Sequence, residues 1–179
     1  MDPYYRNLSF ILTTIMEHPS RVKTVLLAWG NSREGQLGFG SSEKDLILEP
    51  EEVKAFQNQE INIVEVAAGR SHSLFVSSSG SMWSCGANDY SQLGRTIESG
   101  SLRKPGESWL VGKNNVLLKN YILTGRIPAL ENHNIVQVTA GANHSVALSD
   151  VGQVFNWGQN NLGQCGRSSD EENVCTTPR

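Results

Sequence analysis

Two histidines at matching positions are the side chains whose type and spacing could support acid–base or metal chemistry. His72 and His144 each stand three residues after a glycine, and a serine and an apolar run follow each of them. A zinc site would need further ligands that recur together with the histidines, and none recurs. We therefore predict a structural role, in which each imidazole hydrogen-bonds to backbone groups between strands.

The three cysteines provide no recognisable nucleophilic or metal-binding motif. Cys85, Cys165 and Cys175 form no Cys-x-x-Cys pair, so we expect neither a disulfide framework nor a zinc site, and we expect a reducing compartment, the cytoplasm or the nucleus. Cys85 has no histidine at a repeated spacing that could act as its base. Motifs for phosphate loops, dinucleotide binding, zinc proteases and serine hydrolases are also missing from the sequence. The sequence predicts a protein that is not an enzyme and takes no cofactor or small-molecule substrate.

Composition and net charge limit the kinds of partner that the protein is expected to bind. The chain has 179 residues, 38% of them hydrophobic, and a net charge of -3. So weak a charge gives no global reason to expect nucleic-acid binding. No apolar run approaches the roughly 18 residues that a membrane-spanning helix needs. We therefore expect a protein partner, with no direct nucleic-acid contact and no membrane span.

The two histidines belong to a longer stretch that occurs twice. Residues 66–74 read VAAGRSHSL and residues 138–146 read VTAGANHSV. Each stretch runs on through a glycine to a Cys-Gly or Trp-Gly pair and closes on Gln-x-Gly. A third copy of the closing half, residues 25–38, stands near the start of the chain.

The glycines of these copies keep constant spacing. The step from Gly69 to Gly80 is 11 residues, as is the step from Gly141 to Gly152, and the last step of each copy is 8 residues in all three copies. Fixed glycines with variable residues between them indicate a structural repeat in which each glycine holds a backbone position. The repeated positions are Trp29, Gly30, Gly38, Gly69, His72, Gly80, Gly86, Gly94, Gly141, His144, Gly152, Trp157, Gly158 and Gly166.

Trp29 and Trp157 stand at equivalent positions, and Cys85 stands there in the middle copy. A buried tryptophan removes about 150–250 Å² from water, a gross gain near 4–6 kcal/mol. We therefore predict that both rings pack between repeats rather than form an aromatic platform for a ligand. Cys165, where the other copies carry leucine, is predicted to be a small apolar filler.

These residues resemble the repeats of the regulator-of-chromosome-condensation propeller family. The resemblance rests on the pattern apolar-x-Trp-Gly-x-Asn-x-x-Gly-Gln-Leu-Gly and, after a variable segment, Val-x-x-Gly-x-x-His-Ser-x-x-Leu-x-x-x-Gly, over residues 25–167. It implies an all-β fold, a partial and open β-propeller built of small antiparallel sheets. The chain holds about two and a half repeats, which implies two to three blades of four-stranded antiparallel sheet.

The repeats divide the chain into four parts. Residues 1–24 match no repeat, and we expect a loosely packed extension with one or two helical turns ending before Pro19. Residues 25–79 form the first repeat and residues 80–152 the second. Residues 153–179 form a truncated third repeat with a polar tail, so the sequence predicts a chain that ends in the middle of a unit.

The second repeat carries an insertion at about residues 95–130. The glycine-to-glycine step that contains it is 55 residues, against 39 in the first repeat, an excess of 16. Six basic side chains against two acidic ones give the insertion a charge of +4, and its apolar stretches suggest a hairpin. We expect a loop that merely packs, with a basic hairpin that binds a partner as the alternative. The candidate partner-binding residues are Arg103, Lys104, Trp109, Lys113 and Lys119.

The link in the first repeat has the opposite charge. Residues 43–65 carry seven acidic side chains against two lysines, a net -5. We expect a solvated outer face here, with a docking surface for a basic partner as the alternative.

The resemblance implies an interaction function and leaves its kind open, because fold alone does not determine function. Some propellers of this family are guanine-nucleotide exchange factors for small GTPases, and others are recognition domains in ubiquitin ligases, ciliary proteins or membrane-traffic regulators. The hypotheses are therefore an interaction module in a small-GTPase regulator, a non-catalytic scaffold or substrate-recognition domain, and an incomplete fragment without independent activity.

Overall fold

The computed structural model of the chain describes residues 9–18, 21–39, 45–59, 61–96, 124–169 and 172–179. Its strands, in chain order, are β1 (Ser9–His18), β2 (Arg21–Asn31), β3 (Leu46–Glu52), β4 (Ile63–Ala68), β5 (His72–Ser77), β6 (Met82–Gly86), β7 (Gly125–Arg126), β8 (Ile135–Ala140), β9 (His144–Ser149), β10 (Val154–Gln159) and β11 (Val174–Cys175). Short 3₁₀ helices at Lys54–Gln59 and Pro128–Leu130 lie in the connections between sheets.

The strands form three sheets in which all neighbouring pairs are antiparallel. Sheet 1 has the order β1-β2-β3, sheet 2 the order β4-β5-β6-β7, and sheet 3 the order β8-β9-β10-β11. The predicted all-β architecture is therefore confirmed, with two four-stranded sheets and one sheet of three described strands. The repeated segments 74–76 and 146–148 lie in the second strands of sheets 2 and 3.

The repeat boundaries drawn from the sequence pass through the middle of the sheets. The first repeat, residues 25–79, supplies β2 and β3 to sheet 1 but β4 and β5 to sheet 2. The glycine spacing is the same whichever strand begins the unit, so periodicity alone does not show where a sheet begins. The predicted 95–130 insertion covers the connection from β6 to β7, but its last residues form β7 and the 3₁₀ helix Pro128–Leu130, and Ile127 and Leu130 are buried in a hydrophobic core.

The N-terminal segment differs from the expected loose extension with helical turns. Residues 9–18 form β1, which pairs along β2 from Ser9 opposite Trp29 to His18 opposite Arg21. β1 contains isoleucines and threonines, whose branched side chains favour an extended backbone. Pairing with the apolar strand β2 therefore overrides the weak helical signal before Pro19.

The register of β1 places it in the repeat despite its different sequence. Ser9 lies opposite Trp29, as Ser145 lies opposite Trp157 in sheet 3. β1 therefore corresponds to the second strand of sheets 2 and 3, and β2 corresponds to their third strand.

The C-terminal residues also differ from the expected polar tail of a truncated repeat. β11 pairs with β10 at Gly158 and Gln159, and the backbone of Arg179 pairs with that of Asn156. Sheet 3 therefore has its fourth strand. A two-residue strand is too short to show an alternation of apolar and polar residues, so no sequence pattern predicts it.

Two hydrophobic cores join the sheets. The first lies between sheets 1 and 2 and the second between sheets 2 and 3. The first core contains Leu26, Ala28, Leu37, Ile47, Val53, Phe56, Ile63, Phe75, Trp83 and Cys85. The second core contains Leu74, Val76, Met82, Ile127, Leu130, Ile135, Val138, Ala147 and Trp157. Sheet 2 thus contributes to both cores, because alternate residues of β5 and β6 face opposite neighbours.

Among the residues that the structure describes, no helix is long and apolar enough to cross a membrane.

Candidate protein-interaction site

His72 joins sheet 2 to sheet 3. Its Nε2 lies 2.9 Å from the Ser145 hydroxyl, and that hydroxyl donates to the Gln92 carbonyl at 2.8 Å. Because the serine proton is committed to the carbonyl, Nε2 carries a proton and donates to the serine. The partner is a side chain of the next sheet, whereas the sequence prediction was a backbone group.

The environment of His72 keeps its imidazole neutral. Burial, reinforced by the nearby His144, lowers the pKa of His72 from 6.5 to about 4. Its Nδ1 is buried and has no hydrogen-bond partner in the described part of the chain. A buried neutral imidazole without access to a substrate holds sheets together and does not act as a base.

The carbonyl of a turn glutamine is the common acceptor at each junction between sheets. Gln92 accepts bonds from the Ser145 hydroxyl and from the Trp157 indole N–H, both at 2.8 Å. Gln36 accepts one from the Ser73 hydroxyl at 2.6 Å, and the Cys85 thiol donates to it at 3.4 Å. Tryptophan and cysteine thus fill the same structural position.

The repeated glycines mark places where a side chain would either collide with a neighbouring ring or strain the backbone. A Cβ on Gly69 would collide with the ring of His72, and one on Gly141 would collide with the ring of His144. The other repeated glycines have positive φ angles: Gly30, Gly38, Gly80, Gly86, Gly94, Gly152, Gly158 and Gly166.

Two arginines that the sequence analysis did not single out also recur. Arg95 and Arg167 each follow the last glycine of a copy. The Arg95 guanidinium donates to the hydroxyl and carbonyl of Ser84, and that of Arg167 donates to the carbonyl of Asn156 at 2.9 Å. Each arginine thereby ties its turn to the third strand of its own sheet. Extending the repeat comparison by one residue beyond the last glycine would have found both.

The thiols have no features of nucleophiles. Burial raises the pKa of Cys85 to about 12. Burial and the neighbouring Cys175 thiol raise the pKa of Cys165 to about 12. The described residues contain no group of three or more His, Cys, Asp or Glu side chains that could hold a metal ion.

The turns that follow β2, β6 and β10 share the same set of hydrogen bonds. In each turn a glutamine side chain accepts the backbone N–H two residues earlier, at 2.9 Å for Gln36, 2.8 Å for Gln92 and 2.7 Å for Gln164. Each turn also contains the same two backbone bonds, illustrated by Gly38 N to Gly35 O at 3.1 Å. The backbone of the turn is therefore held the same way in every sheet.

The tips of these turns differ in sequence and are exposed to solvent. Arg33 is exposed at the first tip, Asp89 and Tyr90 at the second, and Asn161 and Leu162 at the third. Leu162 is 86% exposed, the highest value among the exposed large hydrophobic residues described. We call these five residues the turn-tip face.

The described residues on either side of the insertion lie next to the turn-tip face. The insertion follows the second turn directly, and the chain returns at Gly125, which pairs with Ser84 beside the Arg95 guanidinium. The candidate contacts Arg103, Lys104, Trp109, Lys113 and Lys119 lie outside the described residues.

The acidic link is exposed in the part that the structure describes. Glu49 and Glu51 of β3 are exposed, and the apolar Leu48, which precedes Glu49 in the same strand, is 72% exposed. Glu65 is an exception, because its carboxylate accepts the backbone N–H of Val138 at 3.3 Å and so reaches sheet 3.

Comparison with known proteins gives consistent matches. The model for the regulator of chromosome condensation (RCC1) repeat matches residues 25–76 and 151–179, and a second model of the same repeat matches residues 63–92 and 135–164. The probable E3 ubiquitin-protein ligase HERC4 of Homo sapiens is 35% identical over 81% of this chain and 16% of its own length. The chain therefore spans less than a fifth of that relative.

Solved structures with the same arrangement of sheets include yeast RCC1 (Prp20) bound to Kap60. It matches with a TM-score of 0.67 and 25% identity, over 86% of this chain and 32% of that one. Prp20p from Saccharomyces cerevisiae, described with its binding properties to Gsp1p and histones, matches with a TM-score of 0.65 and 26% identity, over 86% and 33%.

Proposed function

The chain belongs to the regulator of chromosome condensation (RCC1) repeat family, and we propose that it is a non-catalytic protein-interaction module that binds its partner through the turn-tip face and the adjacent insertion. The supporting observation is that the turns share the same hydrogen bonds while the exposed side chains at their tips differ. A rigid scaffold with variable exposed tips is how repeat proteins present a specific binding surface. Tyr90 and Leu162 would supply the apolar contacts.

The insertion would add a basic surface to the turn-tip face. Arg103, Lys104, Lys113 and Lys119 would attract an acidic partner, and Trp109 would anchor it. The ends of the insertion are held firmly, because Arg95 binds the third strand on one side and Gly125 pairs with it on the other.

The first candidate partner is a small GTPase, so that the chain would be part of a GTPase regulator. The similarity to Prp20p, described with its binding to Gsp1p, supports this partner class. The second candidate function is substrate recognition or scaffolding in a ubiquitin ligase, supported by the 35% identity to HERC4. The two functions share a binding surface and differ in what binding does to a nucleotide.

Nucleotide release from Gsp1p loaded with a fluorescent GDP analogue separates the two functions. A regulator that promotes exchange accelerates the release, whereas a scaffold that uses the same surface binds without changing the rate. The combined variant Arg103→Glu, Lys104→Glu and Lys113→Glu should weaken binding about tenfold or more, because reversed charges slow the encounter with an acidic partner.

A matched control reverses two exposed basic residues outside both the insertion and the turn-tip face, Lys54→Glu with Arg179→Glu. It is compared with the double variant Arg103→Glu with Lys113→Glu, which changes the net charge by the same amount. If this control weakens binding as much as the insertion variant, net charge rather than the insertion governs the interaction. Unchanged release rates would remove the exchange function, and absence of binding would remove the GTPase as partner. Tyr90→Ala with Leu162→Ala tests the turn-tip face, with the exposed Val151→Ala as its control.

We assign the module to the cytoplasm or the nucleus. Cys85, Cys165 and Cys175 are all free thiols, which is the normal state of cysteine in reducing compartments.

A further inference from the structure

The turn between β5 and β6 is rich in serine. Ser77, Ser78, Ser79 and Ser81 surround Gly80, and Ser78 and Ser79 are exposed to solvent. Because β5 and β6 are antiparallel, this turn lies at the end of sheet 2 opposite to the turn-tip face. The proposed partner binding therefore does not use it.

Three of these serines join their hydroxyl groups. The Ser79 hydroxyl lies 2.9 Å from that of Ser77 and 3.3 Å from that of Ser81. The Ser77 hydroxyl oxygen also accepts the backbone N–H of Ser81 at 3.2 Å. Ser78 donates its backbone N–H to the Asn62 carbonyl at 2.8 Å, and in the described part of the chain its hydroxyl takes no part in this network.

A guanidinium group lies at the end of the hydroxyl network. Arg126 Nη2 donates to the Ser81 hydroxyl at 2.7 Å. The Arg126 Cζ lies 5.2 Å from the ring centroid of Trp83, which is its partner residue in the pairing of β6 with β7. Trp83 is buried and packs edge-on against Phe56, with 5.9 Å between the ring centroids. The guanidinium therefore rests on a ring that is itself held in place.

The charge of Arg126 is left without an anion. Among the described residues no carboxylate forms an ion pair with it. A guanidinium has five N–H donors, and its planar fork matches the oxygens of a phosphate group. A cation that is oriented by an aromatic ring and a neutral hydroxyl, beside an exposed turn, has the geometry of a phosphate receptor.

The equivalent turn of sheet 3 already contains an acidic side chain. Asp150 stands at the repeat position of Ser78. The backbone N–H of Asp150 binds the Asn134 carbonyl at 2.9 Å, as that of Ser78 binds the Asn62 carbonyl. The Asp150 carboxylate accepts the side-chain amide of Asn134 at 2.8 Å. A negative charge is therefore compatible with the backbone of this kind of turn.

We propose that Ser79 is a phosphorylation site and that Arg126 binds its phosphate group. A protein kinase transfers the γ-phosphoryl group of ATP: the Ser79 hydroxyl loses its proton, Oγ forms the new bond to phosphorus, and the bond from phosphorus to ADP breaks. The phosphate carries about -1.5 to -2 charges at neutral pH and three strong acceptor oxygens. These oxygens take the place of the Ser81 hydroxyl as the acceptor for Arg126.

The phosphate would fasten β7 to the rest of sheet 2. β7 has two residues, Gly125 and Arg126, and it pairs with β6 at Ser84 and Trp83. An ion pair between the β5–β6 turn and Arg126 adds a second attachment for this short strand. The experiments that follow need no partner protein, so they succeed or fail independently of the proposed function.

Mass spectrometry of the protein from the cells that express it naturally, purified with phosphatases inhibited, tests the modification. Trypsin cleaves after Arg70 and Arg95, so the peptide of residues 71–95 contains the whole turn. We expect a phosphate group on Ser79. Its absence, or phosphate on other serines of this peptide alone, would overturn the proposal.

Phosphoserine placed genetically at position 79 of the full 179-residue chain tests the role of Arg126. The second pKa of phosphoserine is about 6, and ³¹P NMR follows it through a pH titration. We expect Arg126 to lower this pKa by about 0.5 or more, because the nearby cation favours the dianion. Arg126→Gln removes the cation and should return the pKa to about 6.

Phosphoserine at position 78 is the matched control, because it has the same turn, the same charge and the same exposure but lies outside the hydroxyl network. Its pKa should not respond to Arg126→Gln. Hydrogen exchange of a peptide covering residues 124–130 should slow at least about threefold with phosphoserine at position 79 and remain unchanged with phosphoserine at position 78. Thermal unfolding confirms that each variant is folded. An unchanged pKa in Arg126→Gln, or equal responses at the two positions, would show that Arg126 does not bind the phosphate.

Discussion

Ser91 has a φ of 59°, whereas the same position in the other two turns is occupied by Gly35 and Gly163, with φ of 72° and 74°. A side chain in this left-handed region costs roughly 1–2 kcal/mol. The bonds of the turn, such as Gly94 N to Ser91 O at 3.0 Å, are nevertheless made. The repeat thus imposes the backbone conformation even where the residue does not favour it.

Ser91→Gly should therefore raise the free energy of unfolding, by up to about 1 kcal/mol once the greater freedom of glycine in the unfolded chain is subtracted. Urea unfolding followed by tryptophan fluorescence measures the change. The reciprocal variant Gly163→Ser should lower the free energy of unfolding by a similar amount. Effects of the same sign in both variants would show that strain at this φ is not the cause.

The second prediction at the residue scale concerns pH. The pKa of His72 is about 4 in the folded chain and 6.5 when unperturbed, so between these values the unfolded state binds one more proton than the folded state. Stability is then complete above pH 6.5 and falls as the pH decreases toward 4, by about 2 kcal/mol between pH 6.5 and pH 5 from this residue alone. Protonation would place a second N–H at the buried Nδ1, which has no acceptor in the described part of the chain.

His72→Gln should flatten this pH dependence, and His144→Gln at the equivalent but partly exposed position should preserve most of it. Urea unfolding at pH 7.5, 6.5, 5.5 and 5.0 measures both slopes. An unchanged slope in His72→Gln would assign the acid sensitivity to other groups.

His72 also shows what the sequence could predict at this scale. The spacing identified a structural histidine but not its partner, because the hydrogen bond to Ser145 runs from one repeat to the next. The donor His72 and the acceptor Ser145 come from the His-Ser dipeptides of two successive repeats. The histidine of one sheet pairs with the serine of the next sheet, so a comparison of single repeats does not reveal the pair.

At the scale of elements, glycines with the same backbone conformation have different surroundings. Gly94 and Gly166 have φ of 63° and 69°, so a methyl group meets the same backbone strain at both. Gly94→Ala also drives the methyl against the buried ring of Trp157, whereas Gly166→Ala points it into open space. We expect Gly94→Ala to lower the free energy of unfolding by about 1–3 kcal/mol more than Gly166→Ala, the usual effect of overpacking.

Thermal and urea unfolding of the two variants check this difference. Equal losses would mean that Trp157 moves aside without cost. A larger loss for Gly166→Ala would mean that this edge of sheet 3 is packed more tightly than the contacts indicate.

The elements that the sequence predicted are those whose signal lies within one repeat. β2 and β4 contain apolar runs that end next to a repeated glycine, Gly30 and Gly69, and β5 lies between Gly69 and Gly80, so the repeat pattern located them. β7 and β11 have two residues each, too short for any periodic pattern. β1 has no repeat motif, and its place in sheet 1 follows only from its register with β2.

At the scale of the whole molecule, sheet 2 differs from its neighbours because both of its faces are packed. Every residue of β5 is buried, whereas buried and partly buried residues alternate along β9. In a linear stack of sheets, stability is the sum of each sheet and its contacts with nearest neighbours. Separation of sheet 3 breaks one core, whereas opening of sheet 2 breaks both.

Hydrogen exchange should therefore be slowest in β5 and β6 and faster in β9 and β10, through partial openings that release sheet 3 while sheets 1 and 2 stay packed. Exchange followed by mass spectrometry on peptides covering residues 72–77 and 144–149, at low protein concentration, measures the difference. Equal protection of the two peptides would show that the three sheets unfold as one unit.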